Sequence, residues 1–159
     1  MGVIDHLIYG VPSLDEAAER LAGMGLTSYV GGSHPALGTS NRIVPLGSSY
    51  IELLGPAPFA ADRWVGWMVR DVVLGPDAVP MQRVMPDGTV LSWRLDGLTA
   101  ASLWELDPLA PVRIAWDEGV PLPGSVSPIG RLEAVVFGPG RLSAARVVLN
   151  SGREVVLTG

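Results

Sequence analysis

No cysteine and no lysine occur among the 159 residues. Without cysteine there is no disulfide staple, no thiol nucleophile, no iron–sulfur cluster and no cysteine zinc site. All 11 basic residues are arginine, against 16 acidic residues, for a net charge of −5. That balance argues against a nucleic-acid partner. Arginine in place of lysine, with abundant Ala, Gly and Val, suggests a high-GC bacterial coding sequence. Histidine is scarce: only His6 and His34 are present, and any metal site or acid–base machinery must work within that limit. No apolar run approaches the roughly 20 residues a membrane helix needs. Asp5 and His6 follow the start too closely for a signal peptide, so the expectation is a cytoplasmic protein with no membrane partner. A hydrophobic content of 48% is too high for disorder. A chain of this length forms one domain that buries roughly 70% of its unfolded surface.

Val3 to Tyr9 is β-branched and aromatic and reads as a strand. Strict alternation puts Ile4, His6 and Ile8 on one face and Asp5, Leu7 and Tyr9 on the other. Ser13 with Glu16 forms a capping box, and Leu14, Ala17, Ala18 and Leu21 recur at helical spacing. Gly23 and Gly25 supply the stop, which predicts a helix over about 14–24. A Tyr29-Val30 strand, a loop over 31–39, and strands over 41–46 and 50–54 complete a β-α-β-β-β module, with a short hinge at Gly55-Pro56-Ala57-Pro58. Residues 64–69 read as a strand, and 71–79 are too broken by Gly75 and Pro76 for a good helix. Strands over 81–85 and 89–95 flank the Pro86-Asp87-Gly88 hairpin signal, and 112–116 is a further strand. In the tail, residues 134–138 lie over His6–Gly10 and 154–159 over residues 50–55. This is either an internal repeat or a chance likeness of short apolar runs.

Several residues are candidates for chemistry. His6 and Glu52 sit mid-strand among apolar neighbours. A buried carboxylate is costly unless it is paired or binds a metal. The two can converge on a divalent cation, or each can be an ordinary paired side chain. The polar loop around His34 lacks the Gly-Lys-Ser/Thr ending of a phosphate loop, which excludes nucleotide binding of that kind. Thr39, Asn41 and Arg42 can orient a polar ligand, Arg42 by gripping a carboxylate with two bonds; turn chemistry and a surface arginine explain them equally. Five tryptophans stand against two phenylalanines. Trp67 and Trp93 can wall an apolar pocket, or simply fill a core. No Gly-x-Ser-x-Gly elbow supports serine catalysis.

Three stretches then carry a resemblance. They are Ile4-Asp5-His6-Leu7-Ile8 with its capped helix, the Gly-Gly-x-His-Pro-x-x-Gly-Thr-x-Asn-Arg run over 31–42, and Tyr50-Ile51-Glu52-Leu53-Leu54. Together they resemble a glyoxalase-like domain of the vicinal oxygen chelate superfamily. The resemblance covers residues 3–55, and residues 84–95 and 111–117 are similar to the second half of such a domain. It implies an α+β fold: paired βαβββ modules forming an open curved mixed sheet around a pocket. On this reading 1–159 is a single domain, with module one at 1–55, a degenerate second module at 60–118 and a partial βαββ-like module at 127–159.

The superfamily's metalloenzymes hold a divalent ion with histidine and glutamate, here His6 and Glu52. The partner positions depart from the pattern. They are Ala134 and Val156 if the tail is the matching half, or lie near Trp67 and Ala115 or Trp116 if the middle stretch is. His34, Glu133 or Asp117 would have to supply a third ligand.

Two functions follow. One is an enzyme in which Mn, Fe, Ni or Zn on His6 and Glu52 polarises vicinal oxygens, or in which Glu52 shuttles a proton, for lyase, isomerase or dioxygenase chemistry. The other is a metal-free module that binds a small molecule without turnover, with His34, Asn41, Arg42, Trp67 and Trp93 around the ligand. A sheet-rich dimerisation domain is the third possibility, and a homodimer would cover the edges of an open sheet.

Overall fold

The structure is a computed structural model and describes residues 2–98, 103–107 and 109–159. It is α+β and dominated by sheet. The first half contains β1 (Val3–Gly10), α1 (Leu14–Gly23), β2 (Tyr29–His34), β3 (Thr39–Leu46) and β4 (Ser49–Gly55). The middle holds β5 (Arg63–Arg70), β6 (Val79–Val84), β7 (Val90–Asp96) and β8 (Val112–Trp116). After a 3-10 turn at Pro123–Ser125 come β9 (Gly130–Gly138), β10 (Arg141–Leu149) and β11 (Glu154–Thr158).

Helix α1 starts where the capping box places it: the Ser13 hydroxyl accepts the Glu16 backbone N–H at 3.3 Å. Ala17 and Leu21 form its buried stripe. The hairpin between β6 and β7 turns through Pro86-Asp87-Gly88, with Gly88 at positive φ and the Asp87 carboxylate accepting the Thr89 N–H.

The first eight strands close into a barrel in the order β1-β4-β3-β2-β6-β7-β8-β5. In the first half β1 runs parallel to β4, followed by antiparallel β4–β3 and β3–β2 pairs. The middle repeats that order of pairing as β5–β8, β8–β7 and β7–β6, but no helix follows β5. The sheet expected to be open is therefore closed. Antiparallel β1–β5 pairing makes one seam, and a single bridge from Ser33 to Val84 makes the other.

The tail also differs from expectation. β9, β10 and β11 form a separate three-stranded antiparallel sheet, with no helix and no parallel pair. The likeness of 134–138 to β1 is thus not structural, and no βαββ-like module is present there. Strand β2 is longer than expected, because ladder hydrogen bonds use the backbone and accept Gly31 and Gly32.

Two cores result. The outer one lies between the barrel wall, α1 and the three-stranded sheet, and contains Leu7, Ile51, Leu53, Leu21, Leu142 and Val147. The inner one fills the barrel with Ile8, Leu54, Met68, Trp93, Leu95 and Ile114.

Candidate functional site

The inward faces of β1, β3 and β4 carry the polar residues of the barrel. In the parallel β1–β4 register His6 lies beside Tyr50 and Ile8 beside Glu52, so all four face the interior. In the β3–β4 register Asn41 lies beside Leu54 and shares that face. His34 ends β2 opposite Thr39, and its Nδ1 lies 3.0 Å from the Thr39 hydroxyl. His6, His34, Asn41 and Glu52 are all buried. With Arg83 they line one cavity, whose apolar wall includes Met68, Trp93 and Ile114. The side chains leave about 30 Å³ of room between them, the space of a water or two.

Asp5 does not obey the alternation expected of it. Ile4 pairs with Val69 and His6 with Met68, leaving Asp5 as a bulge residue between them. A bulge bends the strand and re-aims its side chain. Asp5 consequently sits beside His6, its Oδ2 2.6 Å from His6 Nδ1. Trp116 Nε1 and Arg70 Nη1 donate to its other oxygen at 3.0 and 3.3 Å. Burial alone would raise the Asp5 carboxyl. The bonds from His6 and Trp116 and the charges of His6 and Arg70 outweigh it and hold the carboxyl below its ordinary range. An ionised Asp5 must accept from Nδ1–H, which turns His6 Nε2 toward the cavity.

Glu52 faces that nitrogen. Its Oε1 lies 3.6 Å from His6 Nε2, beyond hydrogen-bond length. Its Oε2 accepts the Asn41 amide at 2.6 Å and lies 3.8 Å from His34 Nε2. Burial, with the nearby charges of Arg83 and His6, lowers the His34 imidazole against the opposing pull of Glu52. Tyr50 stacks on His6 with ring centroids 4.5 Å apart. Burial and the Asp5 and Glu52 charges push its phenol well above the ordinary range, so it stays neutral. The cluster offers a carboxylate oxygen and an oriented imidazole nitrogen to the same small space, the equipment for moving a proton on a bound molecule.

Of the residues singled out in the sequence, His6, His34, Asn41, Glu52 and Trp93 line this cavity. Arg42 and Trp67 do not. Arg42 is one residue out of phase with Asn41, so its guanidinium turns outward to Ser28, donating to the hydroxyl at 2.9 Å and the carbonyl at 3.1 Å. Trp67 pairs with Leu7, on the outer face, and packs against Phe137 of β9. One residue of register decides each. Asp5, Arg83 and Trp116 were not singled out as site residues, although Arg83 and Trp116 line the cavity. A bulge leaves no mark in a hydrophobic pattern, and Arg83 follows Gln82 in a stretch that reads as solvent-facing.

The superfamily resemblance implies a divalent ion here, and the residues can be tested for it. Two imidazoles and a carboxylate are chemically suitable donors. Yet among the described residues no group of three or more His, Asp or Glu is arranged to hold a metal. Glu52 Oε2 is committed to Asn41, and the buried cation Arg83 lines the same cavity. As they stand, His6 is hydrogen-bonded to Asp5, His34 to Thr39 and Glu52 to Asn41.

Residues 4–73 match the family model of a glyoxalase-like domain. This stretch is similar to a glyoxalase-like domain. It includes β1 through β5, and with them His6, His34, Asn41 and Glu52; Arg83 and the cavity tryptophans lie beyond it. No curated protein shows significant sequence similarity to the chain. Among solved structures, a hypothetical protein from Staphylococcus aureus is similar in fold, with a TM-score of 0.61 over 99% of this chain and 86% of that one, at 14% identity. No helix among the described residues is long and apolar enough to cross a membrane.

Proposed function

We propose that the barrel binds a small oxygen-bearing organic molecule over His6 and Glu52 and exchanges a proton with it. The observation that carries this reading is the Asp5–His6–Glu52–Asn41 cluster. Asp5 and Asn41 each hold one end of a functional group, and the free ends, His6 Nε2 and Glu52 Oε1, face one cavity 3.6 Å apart. A ligand oxygen placed against His6 Nε2 lies beside Glu52 Oε1. Glu52 Oε1 is then positioned to remove a proton from the neighbouring carbon. The anion that develops is stabilised by the imidazole.

The test follows hydrogen–deuterium exchange by proton NMR at the carbon next to the carbonyl of pyruvate, pyruvamide and hydroxyacetone in deuterium oxide. Binding is read in parallel from the fluorescence of Trp93 and Trp116. The wild-type protein should accelerate exchange of at least one compound, and Glu52→Gln should slow it by about 100-fold or more. Acceleration that appears only after adding Mn, Fe, Ni or Zn, and disappears with chelator, would replace this reading with a metal held by His6 and Glu52. Saturable quenching without exchange would leave a binding module without turnover. No fluorescence response to any of the three would overturn the site itself.

A further inference from the structure

We propose that Arg83 is the anion anchor of this cavity, and that the molecule taken there is a small carboxylate. The inference rests on the reading of the cavity as a ligand site and names its substrate class.

Strand β6 is inverted relative to ordinary burial. Val79, Pro80 and Gln82 are exposed, Met81 and Val84 are half-buried, and Arg83 is the one residue of the strand that is fully buried, at 2% exposure. A guanidinium withdrawn from water needs an anion or a full set of acceptors. Arg83 has neither among the described residues. Its Nε has no hydrogen-bond partner, and its Nη1 reaches only the Asn41 side-chain oxygen, at a long 3.4 Å. Glu52, the cavity's own carboxylate, accepts from Asn41 and stands near His6 and His34 rather than pairing with Arg83. Asn41 stands between the two charges, donating to one and accepting from the other, so that they do not neutralise each other directly.

Room for the guanidinium is built into the facing strand. β2 carries a register shift between Val30 and Gly32. A Cβ on Gly31 would collide with the Asn41 side-chain oxygen and lie 2.9 Å from Arg83 Nη1, and one on Gly32 would collide with the Val84 backbone carbonyl and lie 2.9 Å from Arg83 Cγ. Two consecutive glycines thus clear the space that the arginine and asparagine occupy.

Unused, coplanar N–H donors in a buried cavity match a carboxylate, which accepts two parallel bonds from a guanidinium. The room between the side chains, about 30 Å³, is that of a water or two, so the acid must be short and the lining side chains must give way to admit it. Anchored on Arg83, the acid lies in the cavity that Glu52 and His6 also line. Arg83 binds; it takes no part in the proton transfer.

The experiment compares pyruvate with pyruvamide, its neutral isostere, by Trp93 and Trp116 fluorescence in the wild type, Arg83→Gln and Arg83→Lys. The wild type should bind pyruvate at least about tenfold more tightly than pyruvamide. Arg83→Gln should lose that preference while keeping its pyruvamide affinity, and Arg83→Lys should recover part of it. The wild-type comparison stands even where a variant fails to fold. Equal wild-type affinities for the two compounds would overturn the anchor and leave the cavity reading standing. Silence toward both would overturn the two together.

Discussion

His34 is held where a proton is unwelcome. Burial lowers its imidazole from an ordinary value of 6.5, and the neighbouring Arg83 and His6 charges add to that. In the unfolded chain it takes up a proton as pH falls through about 6.5, whereas in the folded chain it resists until lower pH. The unfolded state therefore binds more protons across that window, and stability falls as pH drops through it. His34→Gln should remove this part of the pH dependence. The check is the thermal midpoint of both proteins from pH 8 to pH 5, and parallel profiles would refute the assignment. At this scale the sequence spoke unevenly. His6 and Glu52 were legible because mid-strand polar residues among apolar ones have few places to go. Asp5 was misplaced because alternation was assumed unbroken. Arg42 stands in the motif run over 31–42 and Arg83 outside it, yet the strand's two-residue period sends Arg42 to the other face.

At the scale of elements, β2 is the one the sequence hid. Gly31, Gly32 and Ser33 look like loop, yet they continue the ladder to β3, and their lack of bulk admits Asn41 and Arg83 to the interior. Helix α1 was legible for the opposite reason: its cap, stripe and stop are all local. The glycine argument separates two substitutions that look alike on paper. Gly31→Ala places a methyl against Asn41 and Arg83. It should cost about 1–3 kcal/mol of stability, and by displacing Asn41 it should loosen the bond to Glu52. Gly23→Ala, at the end of α1, meets nothing within 4 Å and should be neutral or stabilising by up to about 1 kcal/mol. Urea denaturation of the two variants beside wild type distinguishes them. A Gly31→Ala protein as stable as wild type would mean that the cavity wall yields freely.

At the scale of the whole molecule, a mixed α+β fold could be read ahead of the structure, but barrel closure could not. Each hairpin is announced by its own turn residues. The seams join segments far apart in sequence, β1 to β5 and β2 to β6, and no local signal records which edges meet. The tail was misread for the same reason, since its apolar runs show that it packs without showing against what. Its place in the fold yields a separation of stability from binding. β10 sends Leu142, Ala145 and Val147 into the outer core against the barrel wall, on the side of the wall away from the cavity. Leu142 is 1% exposed, and Leu142→Ala should destabilise the protein by about 2–5 kcal/mol through lost burial and the void left behind. Because the wall strands keep their inward residues in register, the protein that remains folded should respond to pyruvate as wild type does. Urea unfolding gives the first quantity and fluorescence titration below the unfolding transition the second. A loss of ligand response with little loss of stability would show that the three-stranded sheet shapes the cavity rather than merely backing its wall.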